Sequence, residues 1–256
     1  MPSDVPAVQN AVRLLERIAR DWPDPVRSGV LIEDLELNRS TGYNLLGTLQ
    51  RAGWADNRGP RAGWSLGPRL LAMAQLSTDW IGQLVQEELD ALSGRLGFLA
   101  FAVQRRDSGT YAVRAKSARG RAVRTSVGVG DDFVFSAPAI MRAFHAWSDL
   151  REFDRLADRH GVRAFTPETV VDRRRLHQVL RRVRERGYGA SLQEYHPGQS
   201  GVAAPVFDLR GRVSMVVCSL AVASELDEST VESVGESVRE CGARITERTG
   251  GCPPEH

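Results

Sequence analysis

The stretch from Asn38 to Trp54, NRSTGYNLLGTLQRAGW, decides how the rest of the chain is read. From Arg39 to Ala52 its apolar residues Leu45, Leu46, Leu49 and Ala52 recur at helical spacing. Asn38 stands where an N-cap is needed. The opposite face carries Ser40, Thr41, Tyr43, Asn44, Gly47, Thr48 and Arg51. A helix that reads DNA needs short polar side chains near its start, so that the backbone can come close. Ser40, Thr41 and Thr48 are suited to phosphate. Arg39, Tyr43 and Asn44 reach phosphate or base edges, and Asn pairs naturally with adenine. Gly42 and Gly47 each cost a helix about 1 kcal/mol, which points to the close approach of a second surface, DNA or protein. The plainer reading is a solvated face with glycines for helix packing.

On the N-terminal side, AVQNAVRLLERIAR (residues 7–20) sets Val8, Val12, Leu15, Ile18 and Ala19 at helical spacing and stops at DWPDP. A short helix is expected over Leu31–Leu35, then a tight turn at Glu36–Asn38. On the C-terminal side, Trp54 and Trp64–Leu66 read as short strands around the tip DNRGPRAG. Arg58 and Arg61 in that tip are expected to touch the DNA backbone or minor groove. Three helices followed by a β-hairpin make the outline of a winged helix-turn-helix. Charge argues the other way. Residues 1–80 hold nine arginines and nine acidic residues, a net of zero. Phosphate affinity then depends on clustering. Arg39, Arg51, Arg58 and Arg61 must share a side, with Asp24, Glu33, Asp34 and Glu36 turned away.

The whole chain has 256 residues, 42% hydrophobic and 26% charged, with a formal net charge of +2. That composition excludes a wholly disordered chain and supplies a sizeable core. No run approaches the roughly 18 apolar residues of a membrane span, so no membrane partner is expected. The opening MPSDVPAVQNAV lacks the basic and apolar runs of a secretory leader. Cys218, Cys241 and Cys252 lie far apart with no paired spacing. Reduced thiols, a cytoplasmic location and neither metal nor cofactor are the expectation.

Beyond the hairpin, a helix opens at Pro68 and another runs over about 79–94. The remainder reads as an α/β (α+β) domain. Strands are expected at Phe98–Arg105, Tyr111–Lys116, Arg121–Val127, Gly189–Glu194, Val202–Asp208 and Val213–Val222. Helices are expected at Ala137–Trp147, Leu150–His160, Asp172–Arg186 and Asp227–Thr249. The basic helix RRRLHQVLRRVRER turns Leu176, Val179, Leu180 and Val183 to the core and reads as structural. The expected division is a DNA-binding domain at 1–67, a linker helix at 68–78, a second domain at 79–250 and a tail at 251–256.

The ordered set AVRLLERIA, NRSTGYNLLGTLQRAGW, GWSLGPRLLAMA and RRVRERGYGASLQEYHPGQSGVAAPVFDLRGRV resembles the IclR family of bacterial transcription regulators, from about residue 6 to 249. The resemblance implies a winged helix-turn-helix, a connecting helix and a GAF- or PAS-like domain with a curved antiparallel sheet. It also implies homodimers or homotetramers on palindromic or pseudo-palindromic double-stranded DNA, controlled by a small-molecule effector. Departures shape the expectation. Asn44 stands where the family commonly has arginine, which favours adenine over guanine and an uncommon operator. Glu36 stands where a glycine is usual. Where relatives that bind small keto acids have an acidic residue and two hydroxyls, this chain has Ser191, Cys218 and Leu220. SAPAIMRAFHA replaces the usual HATALGKALLA, with Pro138 and Met141 for smaller residues. A hydrophobic or aromatic effector is therefore expected, among Phe135, Met141, Gly201, Cys218 and Leu220. Ser136, Ser191, Gln193 and Glu194 would supply polar contacts.

Two other readings remain open. The C-terminal domain could be a ligand-free dimerisation or interaction module, with Met141 and Leu220 plugging the pocket. An enzyme is the remote alternative: HPGQSGV resembles a hydrolase elbow, but Val202 replaces the final glycine and a strand follows Ser200. No nucleophile–base–acid set is visible, so no catalytic residue is expected. His145, His160, His177, His196 and His256 lack metal-ligand spacing.

Overall fold

The computed structural model describes residues 5–57, 59, 62–75, 78–118 and 127–254. The chain divides into two compact units, Met1–Trp80 and Ile81–His256.

In the first unit, α1 (Pro6–Arg20), α2 (Ser28–Asp34) and α3 (Arg39–Arg51) precede a hairpin of β1 (Ala55–Asn57) and β2 (Trp64–Leu66), and α4 (Pro68–Gln75) follows. Leu14, Ile18, Leu31, Leu46, Leu49 and Trp64 close one small core. Val8 and Val12, expected on the inner face of α1, are instead exposed; the helix buries Leu14 and Ile18. The hairpin is antiparallel, with Ala55 opposite Leu66 and Asn57 opposite Trp64. Trp64 also exchanges both backbone hydrogen bonds with Val26, at 2.9 and 2.7 Å, which fastens the hairpin to the segment before α2.

The turn between α2 and α3 is a Schellman closure. Leu37 N–H donates to Ile32 O (2.9 Å) and Glu36 N–H to Glu33 O (3.0 Å). Glu36 occupies the left-handed position at φ 52°. A glycine adopts that conformation without cost, which explains why one is usual there.

In the second unit, α5 (Thr78–Leu96) leads into a sheet, six-stranded among the described residues. Its strands are β3 (Leu99–Arg105), β4 (Tyr111–Lys116), β5 (Asp132–Phe133), β6 (Gly189–Leu192), β7 (Gln199–Phe207) and β8 (Val213–Val222). Their order is β5-β4-β3-β8-β7-β6, antiparallel at every pairing. The helices are α6 (Pro138–His145), α7 (Leu150–His160), α8 (Arg173–Arg186) and α9 (Val231–Arg248). Side chains alternate between two cores. Phe101, Val103, Val216 and Cys218 face α6, α7 and α8. Ala100, Ala102, Met215 and Val217 face α5 and α9. A sheet covered on both faces reads as continuous apolar sequence, as Val213–Val222 does. The fold is thus α+β, with a helical N-terminal region and a C-terminal antiparallel sheet.

Boundaries differ where turns claim residues. The segment expected to be strand after Leu192 is loop, because Gln193 takes φ 57° and turns the chain. The strand β5 had no signal, being two residues long. Of the strand expected at Arg121–Val127, all but Val127 lies outside the described residues. Asp172 caps α8 by accepting from Arg175 N–H (2.9 Å), and Gly187 ends it at φ 84°.

Candidate functional site

Two surfaces draw together the residues singled out above. The first is the outer face of α3. Asn38 caps the helix, its side chain accepting from Ser40 N–H and Ser40 Oγ–H, both at 3.0 Å. Gly42, Leu46 and Leu49 are buried. At about 100° per residue, Ser40, Tyr43, Asn44, Gly47 and Arg51 form one stripe on the other side, with Arg39, Thr41 and Thr48 at its edges. The side-chain-bearing members of this set are all exposed, and Tyr43 is 54% so.

The two glycines have different causes. A Cβ on Gly42 would meet Ile32 Cγ1 at 2.6 Å, so this glycine lets α2 and α3 touch. A Cβ on Gly47 would meet only the Arg51 guanidinium, at 3.6 Å. Gly47 lies mid-stripe, and packing inside the protein does not account for it. Thr48 uses its proton on Asn44 O (2.7 Å) and accepts from Arg51 Nη2 (3.1 Å). In this state it orients Arg51. The nearby acids are partly neutralised: Arg17 reaches both Asp34 and Asp21 at 2.7 Å. Arg58 and Arg61 lie outside the described residues.

The second surface is a cavity of about 100 Å³ between the sheet and the first turn of α6. Phe101, Gly201, Ala203, Cys218 and Leu220 line it from the sheet, Phe133 and Val127 from the β5 side, and Ala137–Ile140 from the helix start. Ser191, Tyr195, His196 and Gln199 complete it from β6 and the β6–β7 turn. Burial pushes the Cys218 thiol well above its usual range, so it is a neutral, apolar wall. Ser191 is buried, and its hydroxyl has no hydrogen-bond partner among the described residues. Ala137 stands at the N-cap of α6 and makes no side-chain cap, and Pro138 is the first residue of the helix. Uncapped amides and the helix dipole at that end favour an anion.

Of the expected effector residues, Ser191, Gly201, Cys218 and Leu220 line this cavity; Phe135, Ser136, Met141, Gln193 and Glu194 do not. Met141 is 1% exposed within the core. Phe135 belongs to an aromatic cluster with Tyr111, His145 and Phe153. There desolvation, with the Arg105 charge adding to it, pushes His145 down to about 3 and keeps it neutral. Ser136 is buried. Gln193 Oε1 accepts from Gly198 N–H at 3.2 Å. Glu194 is held by Arg142 through two hydrogen bonds of 2.5 Å. Among the residues missed by sequence reasoning are Phe101, Tyr195, His196 and Gln199. An aromatic residue in a strand, or aromatic and polar residues next to a turn, are signals that many residues share.

No helix of the described residues is long and apolar enough to cross a membrane. No group of three His, Cys, Asp or Glu among them could hold a metal. Ser200 lies buried in β7, and its hydroxyl has no hydrogen-bond partner among the described residues.

Comparison with known proteins agrees with this architecture. The family described as bacterial transcriptional regulator IclR C-terminal matches residues 73–247. The chain is 24% identical over 265 residues to the HTH-type transcriptional regulator XynR of Escherichia coli K12, covering 96% of this chain and 99% of that one. Among solved structures, an IclR transcriptional regulator from Alicyclobacillus acidocaldarius aligns at 28% identity and a TM-score of 0.61, covering 97% of this chain and all of the other. The Agobacterium tumefaciens repressor BlcR shares the fold at 19% identity and a TM-score of 0.62, covering 98% and 100%. These relatives are transcriptional regulators, and the chain belongs to the IclR family of bacterial transcriptional regulators.

Proposed function

We propose that the first unit is a winged helix-turn-helix that reads double-stranded DNA through α3, and that the second is a GAF-like effector domain. The observation that carries the DNA reading is the exposed stripe of Ser40, Tyr43, Asn44, Gly47 and Arg51, with no apolar residue larger than tyrosine's ring, on a helix whose other side is core. Paired copies in a homodimer or homotetramer would set two such helices in successive major grooves of a palindromic or pseudo-palindromic operator. Asn44 favours an adenine at its position. Arg39, Arg51 and the hairpin arginines Arg58 and Arg61 supply phosphate contacts.

The effector reading rests on the cavity's composition: apolar walls, the Ser191 hydroxyl in the lining and an uncapped helix start. That set fits a hydrophobic molecule with one anionic end, bound by the α6 amides and Ser191. Such a ligand alters DNA affinity only to the extent that it binds one arrangement of the paired readers better than another.

The decisive experiment is binding to DNA upstream of the protein's own gene, by gel shift and footprinting at two salt concentrations. The expected result is a protected palindrome, lost in Arg39→Ala and Asn44→Ala. No DNA binding even at low salt would overturn the reading and leave a protein-interaction role. A ligand that binds tightly yet leaves operator affinity unchanged would reduce the second unit to a module without control.

A further inference from the structure

The cavity is small for the ligand class its walls suggest. At about 100 Å³ it falls below the roughly 150 Å³ that accommodates a benzene ring. Tyr195 and His196 both line it and are both exposed, so they stand on its solvent side. The Tyr195 side chain is 36% exposed. Its ring lies 6.0 Å from Phe133, which belongs to the cavity wall, and 4.6 Å from Phe165, which does not. It therefore stands at the boundary between cavity and solvent.

The backbone beneath Tyr195 is fixed. Glu194 is clamped by Arg142, and its carboxylate also accepts from Val170 N–H at 3.2 Å. Thr166 and Thr169 donate to the carbonyls of Gln193 and Glu194 at 2.9 and 2.6 Å. Gln193 N–H closes the turn on Gln199 O at 3.0 Å. The Tyr195 hydroxyl has no hydrogen-bond partner among the described residues. The ring thus meets Phe133 and Phe165 from an anchored main chain.

We infer that Tyr195 is the specificity-determining residue of the effector site, a sieve that admits short aliphatic carboxylates and turns away ring-bearing ones. This rests on the effector reading given above. A hydrophobic pocket separates ligands that differ by one methylene by about tenfold or more, and a ring that does not fit is penalised at least as much.

The test is isothermal titration of the full-length protein with butyrate, isovalerate, benzoate and phenylacetate. Wild type, Tyr195→Phe and Tyr195→Ala are compared. Wild type and Tyr195→Phe are expected to bind the aliphatic acids at least about tenfold more tightly than benzoate. Tyr195→Ala is expected to gain at least about tenfold for benzoate. The position is partly exposed, so folding is not at stake, and Tyr195→Phe keeps the ring as a control. If wild type binds benzoate as well as butyrate, or the order of ligands is the same in Tyr195→Ala, the sieve is overturned while the site stands. If none of the acids binds any of the three proteins, the effector reading falls and the sieve falls with it.

Discussion

The face of α3 and the cavity behind Tyr195 are built on opposite principles. The α3 face is one uninterrupted stretch of chain, polar and in water, with its order imposed from beneath by Leu46 and Leu49. The cavity is assembled from β3, the segment around Phe133, α6, the β6–β7 turn and β8, and is largely apolar. Truncating the exposed side chains of the first surface should change what the protein binds with little effect on stability. Substitutions around the second should do both, because its lining is also core and its frame is a buried ion pair.

That difference is broken most forcefully at Arg142. Its guanidinium is almost wholly buried and holds both oxygens of Glu194 while donating to Ala190 O. Removing one partner of such a pair leaves an uncompensated buried charge and costs about 3–5 kcal/mol. Arg142→Ala should therefore lower the denaturant midpoint of the second unit by that equivalent, and should free the turn that carries Tyr195. A joint replacement, Arg142→Met with Glu194→Leu, should recover most of the loss, since burial of the charges is itself costly. If Arg142→Ala unfolds at the wild-type midpoint, the clamp is not what frames the cavity.

Next in size is Leu46→Ala. Leu46 is fully buried on the inner face of α3, in a unit with a small core. Truncation of a buried leucine costs about 2–5 kcal/mol. Chemical denaturation should show an early transition for the first unit, with the second unaffected, and DNA binding should fail through loss of the unit. An unchanged first transition would mean that the α3 face is not ordered from beneath.

Asn44→Ala carries a smaller and purely functional effect. The side chain is exposed, and its stability effect should stay within about 0.5 kcal/mol. Loss of one base contact should cost about 1–3 kcal/mol of operator affinity and relax the preference at one base pair. Selection of binding sequences by wild type and Asn44→Ala checks this; the same preferred base in both would show that Asn44 reads nothing.

The two surfaces were also unequally legible in the sequence. A single amphipathic helix is visible in its periodicity, so Asn38 as cap and Leu46 and Leu49 as inner residues followed from spacing alone. So did the exposed set Ser40, Tyr43, Asn44 and Arg51. The strand pattern likewise located β4 and β8 at their observed bounds. The cavity required knowing which faces of distant strands meet. Cys218 and Leu220 project to the same side as Gly201, and Ser191 lies opposite Gly201 across β6–β7; resemblance supplied these four. Proximity in sequence pointed to Phe135, and comparison with the family's loop to Met141, yet neither lines the cavity, and nor does Ser136. Pro138 opens α6 at the cavity, and the next turn of the helix carries Met141 away into the core. Glu194 looked like a free polar contact because its partner Arg142 is far away in sequence.

The smallest effect distinguishes two residues of one type within the same helix. Gly42→Ala should destabilise, because its methyl group would drive into Ile32 unless that side chain shifts. Gly47→Ala meets no obstacle and replaces the poorer helix former, so it should stabilise the first unit by up to about 1 kcal/mol. If the outer stripe of α3 lies against DNA, the same methyl group stands between the helix backbone and the groove. Operator affinity should then fall as stability rises. Thermal unfolding and gel shift on the one variant read the two changes separately. A gain in stability with undiminished affinity would return Gly47 to an ordinary solvated position and would move the DNA contact toward Arg39 and the helix start. A loss of affinity in a more stable protein cannot come from unfolding, and so assigns the missing side chain at residue 47 to recognition.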